Sequence, residues 1–378
     1  METSPGQRRH HGSDGSGVMA FSYSRTVTID YTKCGTANST NFPILVSGTY
    51  DGSGGTADLR TTGNGGKVIN GSGYDIGFYS DATLTTKLSW ETELYTASTG
   101  EVRYWVKIPT LSASANTVIY LAYGNGAITT DQSAATTTWD SNYKGVWHLQ
   151  SMGTGAGAIT DSTSNANHGT LTNTPTSTTG QIGNGGSFTA GSSQYMSGAN
   201  GVTGAGTFAW ETWVKVPSNP SSQGHVVGLM QGNGSSTFDH TLGITTAGQV
   251  KNYLWDGAVK NATSTGTVGT GWNHICTVAD GTNFIIYLNG VQDGSVGTSG
   301  STATSYTAPC FFIGGQPQNN WFYITMTIDE VRFSLGSRSS SWIKASYNSQ
   351  SSPSTFYTLG SEVVMPKPGG TMGLMGVG

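Results

Sequence analysis

Glu91 and Glu93 are the residues whose type and spacing first suggest chemistry. Two apart in SWETELY, they share one face of a strand, about 6.5–7 Å from one another by strand rise. Retaining glycosidases need carboxyls about 5 to 5.5 Å apart. Glu211 stands alone, and Asp329 and Glu330 are adjacent, so they face opposite ways unless a β-bulge re-aims one of them. The segments around His148, His168, His225, His240 and His274 show neither a G-x-S-x-G elbow nor a clear triad order. His274, in an apolar strand, reads as a core residue.

The elements that must hold these groups are strands. The chain has 378 residues, 56 of them glycine, and only 10% are charged. Its 10 Trp, 17 Tyr and 12 Phe argue against disorder, because disordered chains are poor in aromatics. Many short strands joined by turns fit this composition. The net charge of −4 gives no basic footprint for nucleic acid, and no apolar stretch is long enough for a membrane span. Cys34, Cys276 and Cys310 are too scattered for a disulfide framework or a zinc site. They read as buried thiols, with a single Cys276–Cys310 disulfide as the open alternative.

Period-two alternation predicts strands at 21–30, 42–47, 75–79, 88–95, 102–108 and 117–123. In 102–108, Val102, Tyr104, Val106 and Ile108 face one way, with Arg103, Trp105 and Lys107 opposite. Residues 139–149 form a joint without a long linker. Beyond it, strands are expected near 186–188, 194–197, 207–216, 225–230, 241–245, 250–255, 310–313 and 323–333. Residues 272–295 form an antiparallel meander, with Asp280-Gly281 and Asn289-Gly290 suited to type I′ turns. In 323–333 the apolar parity switches from even (Ile324, Met326, Ile328) to odd (Val331, Phe333), which predicts a bulge near Asp329-Glu330. Residues 340–349 are the only helix candidate.

The expected organisation is a disordered leader (1–18), a first β-sandwich (19–140), a second (141–360) and a flexible Gly/Pro/Met-rich tail (361–378). Met19 is the expected natural start, and no signal peptide is seen.

The segments WETWVKV, WNHICTVADGTNFIIYLNGVQDG, IGGQPQNNWFYITMTIDEVRF and SSSWIKASYNSQ resemble the laminin-G-like (concanavalin A-like lectin/glucanase) domain over about 142–360. YSRTVTID, NFPILVS, VRYWVKIPTLSASANTVIYLAYGN and WDSNYKGVWHL resemble the DUF2341 domain. The resemblance implies an all-β chain: a small sandwich followed by a jelly roll. It also implies a phage virion or bacterial surface setting. Jelly-roll glucanases carry their carboxylates in an E-x-D-x-x-E strand, which this chain lacks, and Glu91 and Glu93 lie outside the jelly-roll block. The expectation is therefore binding rather than catalysis. It takes the form of a glycan- or cell-surface-polysaccharide-binding module in a phage tail or other extracellular appendage, where it could form a homo-oligomer. A purely structural spacer and a glycoside hydrolase are the alternatives. The resemblance further implies a Ca²⁺ at the sandwich rim, with Asp161 and Asp329 as candidate ligands. The competing readings make Asp161 a turn-former and pair Asp329 with Arg332 or a lysine. Candidate sugar contacts are Asn319, Asn320 and Trp321, and Tyr253 with Trp255, of which Trp255 could equally be core.

Overall fold

The computed structural model describes residues 20–199, 206–231, 238–255, 259–297, 309–316 and 322–366. The first block contributes β1 (Tyr23–Ile29), β2 (Ser39–Thr49), β3 (Ile76–Tyr79), β4 (Trp90–Thr96), β5 (Glu101–Leu111) and β6 (Thr117–Tyr123). A short helix, α1 (Ala135–Thr138), leads into β7 (Tyr143–Trp147). Then come β8 (Thr170–Thr172), β9 (Thr176–Thr179), β10 (Asn184–Phe188), β11 (Tyr195–Ala199) and β12 (Phe208–Lys215). They are followed by β13 (Gly224–Gln231), β14 (Phe238–Ile244), β15 (Gln249–Trp255), β16 (Val259–Thr267) and β17 (Asn273–Ala279). The second block ends with β18 (Asn283–Leu288), β19 (Val291–Gly297), β20 (Pro309–Ile313) and β21 (Met326–Leu335). Two helices, α2 (Ser340–Ser351) and α3 (Pro353–Phe356), precede the last strands, β22 (Tyr357–Leu359) and β23 (Val363–Val364). No helix among the described residues is long and apolar enough to cross a membrane.

In the first sandwich a sheet ordered β22-β1-β6-β3, with β23 also on β1, faces a sheet ordered β2-β5-β4. Val102, Tyr104, Val106 and Ile108 point into its core, as their alternation requires, beside Ile44, Val46 and Phe78. Trp105, on the opposite face of β5, is also fully buried. Something must therefore cover that face, and it is the second sandwich.

That second sandwich pairs an eight-stranded sheet (β19-β18-β17-β12-β21-β10-β9, with β7 on β21) with a seven-stranded one (β16-β15-β14-β13-β20-β11-β8). Its core includes Trp147, Phe188, Phe208, Trp210, Phe284 and Phe333. The meander β17-β18-β19 forms as expected, and its middle strand is covered on both sides. Ile275 and Ile286 enter the sandwich core, whereas Cys276 and Val278 pack with the first-sandwich cluster. Asn289 and Gly290 both take positive φ (51° and 77°), as a type I′ turn requires. Asp280 does not: only Gly281 is left-handed there, and the Asp280 carboxylate accepts from the Thr282 and Asn283 amides instead. That turn is organised by the side chain. β16 escaped sequence reading because VKNATSTGT has no apolar alternation. It is a polar edge strand in which, among the described side chains, only Ala262 enters the core.

The C-terminal segment corrects the expected boundaries. Ser339 caps α2 by accepting from the Trp342 amide, and Trp342 packs edge-on against Phe42 of β2 at 4.7 Å. β22 and β23 pair antiparallel with β1, in register Val27↔Leu359 and Tyr23↔Val364. Tyr357 places its hydroxyl 2.6 Å from that of Tyr50, and Glu362 accepts from Tyr123 at 2.7 Å and pairs with Lys67. Residues 357–364 thus add strands to the first sandwich, so 361–364 are not part of a free tail, and α2 lies between the two sandwiches, with Trp342 on Phe42 and with Ser346 and Gln350 on Glu211 of β12. The sequence concealed this because two- and three-residue strands carry no period and their partner lies some 330 residues upstream.

The cysteines are free thiols. Cys276 packs toward the first sandwich, on the side of the eight-stranded sheet away from the seven-stranded sheet that carries Cys310, so the disulfide left open by the sequence does not form.

Candidate functional site

Two β-bulges, one in each sandwich, build a polar cluster where the domains meet. On β4, Thr92 pairs with Tyr104 and Leu94 with Arg103, so Glu93 is the extra residue. On β21, Arg332 pairs with Glu211 and Asp329 with Trp213, leaving Glu330 and Val331 opposite Thr212 alone. Glu330 takes φ +52°, a conformation uncommon outside glycine. The bulge predicted from the parity switch is present and has a clear effect. Ile328, Val331 and Phe333 enter the sandwich core, while Glu330 and Arg332 reach the interface.

His148, one residue beyond β7, stands at the centre. Its Nδ1 lies 2.8 Å from Glu330 Oε1 and 3.5 Å from Glu93 Oε2, and its Nε2 lies 3.2 Å from Glu91 Oε2. Glu91 also accepts from Trp139 Nε1 at 2.6 Å and Ser162 Oγ at 2.6 Å. Glu93 Oε2 accepts from Trp105 Nε1 at 2.6 Å, but its buried Oε1 has no partner among the described residues. Arg332 donates to Glu330 at 2.7 Å and lies 4.2 Å over the Trp105 ring. Beneath it Glu211 gathers His274 and Gln350, each at 3.2 Å, together with Ser346.

Burial and charge pull these groups in different directions. Burial, with Glu330 adding to it, pushes Glu93 up to about 8. Burial would also raise Glu91, but the charge of His148 and the hydrogen bonds from His148, Ser162 and Trp139 hold it below its usual value. Burial opposes charge on His148, yet Glu330, Glu91 and Glu93 outweigh it and raise the imidazole well above its ordinary pKa. Burial and then Glu330 raise Asp329 strongly. For Glu211, burial is outweighed by His274, Arg332 and Ser346, which bring it down to about 2. A cavity of about 250 Å³, lined by Glu91, Glu93, His148, Gln150, Ile159 and Ser162, adjoins the cluster.

A raised and a lowered carboxyl side by side are what acid–base hydrolysis uses. Here, however, Glu91 already accepts three hydrogen bonds, and the cavity falls short of the roughly 300–1,000 Å³ typical of ligand pockets. The geometry is that of an interdomain clamp.

The residues singled out in the sequence fall elsewhere. Asp161 accepts from the Val146, Thr163 and Asn167 amides and from the Thr163 hydroxyl, so it organises its turn and ties it to β7. Asp329 is fully buried and accepts from the Ile182 and Glu330 amides; Arg332 pairs with Glu330 and Glu211 instead. Asn319, Asn320 and Trp321 lie outside the described residues, as does the side chain of Trp255. Tyr253 is described. It is 7% exposed and pairs across strands with Thr241 on the outward face of the seven-stranded sheet. Around it, His225 stacks on Phe322 at 4.2 Å and on Phe312 at 6.0 Å, and Lys251 Nζ lies 4.6 Å from the Tyr253 ring centre. Gly228 makes room for this group, since a Cβ there would come within 2.6 Å of the Phe312 ring. Tyr253 Oη and Thr241 Oγ1 are buried without hydrogen-bond partners among the described residues.

Residues 72–146 match the family described as a domain of unknown function, DUF2341, and residues 189–344 match the concanavalin A-like lectin/glucanases superfamily. The chain is therefore all-β, with a DUF2341 domain followed by a concanavalin A-like one, as the resemblance implied. No curated protein matches it. Among solved structures it is similar to domain 4 of AbnA, a GH43 extracellular arabinanase from Geobacillus stearothermophilus, in complex with arabinotriose. That likeness has 18% identity over 54% of this chain and 97% of that one, at a TM-score of 0.43. It is also similar to the binding domain of Paraclostridial Mosquitocidal Protein 1 (13% identity, 55% of this chain, 52% of that chain, TM-score 0.44). A third is the botulinum neurotoxin serotype D ligand binding domain in complex with N-acetylneuraminic acid (12% identity, 57% and 53% covered, TM-score 0.42). The chain spans about half the length of the two toxin domains.

Proposed function

We propose that this protein is a non-catalytic carbohydrate-binding module that binds a glycan on the outward face of the seven-stranded sheet. The observation that carries the reading is the pair Thr241 Oγ1 and Tyr253 Oη, two buried hydroxyls without partners among the described residues, set among aromatic rings. Buried polar groups are ordinarily hydrogen-bonded, and each one that is not calls for an explanation. A sugar would supply what is missing, with hydroxyls for the two orphans and C–H faces for the rings. Trp321 directly precedes Phe322 in the chain, and Asn319 and Asn320 precede it in turn. The lectin description of the matching superfamily supports the same reading.

A glycan array probed with the full chain, with and without Ca²⁺, tests it. We expect binding to a defined glycan class that weakens at least tenfold in Trp321→Ala. Absence of binding to any glycan would favour the spacer reading instead. A place in a phage tail or comparable extracellular appendage belongs to the same proposal, and antibody detection of the chain in purified virions tests it.

A further inference from the structure

We infer that Glu93, His148 and Glu330 form a site for a divalent transition-metal ion of the Zn²⁺ or Mn²⁺ class, bridging the two sandwiches. Each sandwich supplies one carboxylate through a bulge, and the imidazole comes from the strand end between them. One ligand atom from each residue can be chosen so that all lie within 4.8 Å of one another. The two contacts to Nδ1, 2.8 Å from Glu330 and 3.5 Å from Glu93, bracket the ligand–ligand edges of a small ion. Bonds of about 2.0–2.1 Å place neighbouring ligands roughly 2.9–3.4 Å apart.

Three further observations point to a ligand. Glu93 Oε1 is buried without a partner among the described residues, on a side chain only 2% exposed that lines the cavity. His148 directs its other nitrogen, Nε2, at the Glu91 carboxylate, which Trp139 and Ser162 hold in place. That is the support a metal-bound imidazole receives: a carboxylate on the far N–H fixes the ring and raises its basicity. Finally, the cluster holds five carboxylates (Glu91, Glu93, Glu211, Asp329 and Glu330) against Arg332 and two histidines, and the cavity leaves room for water at the remaining positions. An imidazole among the ligands favours a transition ion over Ca²⁺, which prefers oxygen alone. The same ion would link β4 of one sandwich to β21 of the other and so lock their docking.

The test uses the full chain, stripped with a chelator and titrated with Co²⁺, with Zn²⁺ and Ca²⁺ in parallel. We expect one equivalent of Co²⁺ to give a visible d–d absorption band that Zn²⁺ displaces and Ca²⁺ does not. Glu93→Gln, which keeps the side-chain shape, should abolish the band, and Glu91→Gln should weaken Co²⁺ binding about 10–100-fold, as loss of an outer-shell partner does. Circular dichroism of both variants, compared with wild type, checks that they are folded before the band is read. No band at one equivalent, or a band that survives Glu93→Gln, overturns the assignment. So does a cation effect seen with Ca²⁺ alone.

Discussion

The second sandwich has two outward faces, and they are finished in opposite ways. The eight-stranded face carries Glu211, His274, Glu330 and Arg332 and lies against the first sandwich, each in contact with an oppositely charged or titratable neighbour, although Arg332 Nε and His274 Nδ1 have no hydrogen-bond partner among the described residues. The seven-stranded face carries Thr241, Tyr253, Phe312 and His225, with rings in contact but two hydroxyls unmatched among the described residues. Satisfied polar networks rigidify and specify an arrangement, whereas orphaned groups await one. The difference suggests a division of labour in which one face builds the two-domain unit and the other meets a ligand.

If the charged face is a clamp, breaking its middle should cost the most. Arg332 is 2% exposed and touches Glu330, Glu211, Trp105 and Trp139. Arg332→Ala would leave buried carboxylates underpaired, so we expect a loss of about 3–5 kcal/mol in denaturant unfolding. Arg332→Met would keep much of the packing on the tryptophans and lose less. Equal losses in both variants would mean that charge rather than packing holds the interface, and little loss in Arg332→Met would mean the reverse.

A smaller effect separates the faces by pH. Glu211 is held at about 2 against an ordinary 4.5, so its contribution is fully present above pH 4.5 and is lost as pH falls toward 2. The shift corresponds to about 3 kcal/mol. Glu93, raised to about 8, works in the reverse sense: its contribution is present below pH 4.5 and is lost as pH rises through 8. Comparing wild type with Glu211→Gln isolates the first effect. The stability gap should be widest near neutrality and close between pH 4.5 and 2. A gap that does not change with pH would remove Glu211 from the clamp's electrostatics.

How much of this the sequence could tell depends on whether the cause was local. The parity switch from Ile328 to Val331 is local, so the bulge at Asp329-Glu330 was legible and the structure has it. The bulge at Glu93 was not, because WETELYT reads as plain alternation and the extra residue shows only against β5. For the same reason Glu91 and Glu93 seemed remote from any partner. Their partners, His148 and Glu330, arrive by docking of one domain on another, which no periodicity encodes. Trp105 was the available clue: a tryptophan on the face of β5 opposite the core needs a cover, and the second sandwich provides it. Asn289-Gly290 fixed its turn by backbone demand alone, while Asp280-Gly281 did so through side-chain hydrogen bonds that dipeptide preference does not distinguish.

The smallest predicted effect on stability is also the sharpest test of the contrast between the faces. Tyr253→Phe removes a hydroxyl that is buried and has no partner among the described residues, so its loss relieves a desolvation cost rather than breaking a bond. Melting should therefore stay within about 1 kcal/mol of wild type, or rise. Affinity for the glycan found on the array should nonetheless fall, because in the complex the hydroxyl gains the partner it lacks. If stability drops by several kcal/mol, the hydroxyl has a partner inside the fold and the seven-stranded face is as self-satisfied as the eight-stranded one. If both stability and affinity are unchanged, the sugar does not use Tyr253, and the reading would have to rest on residues 317–321, which precede Phe322 in the chain.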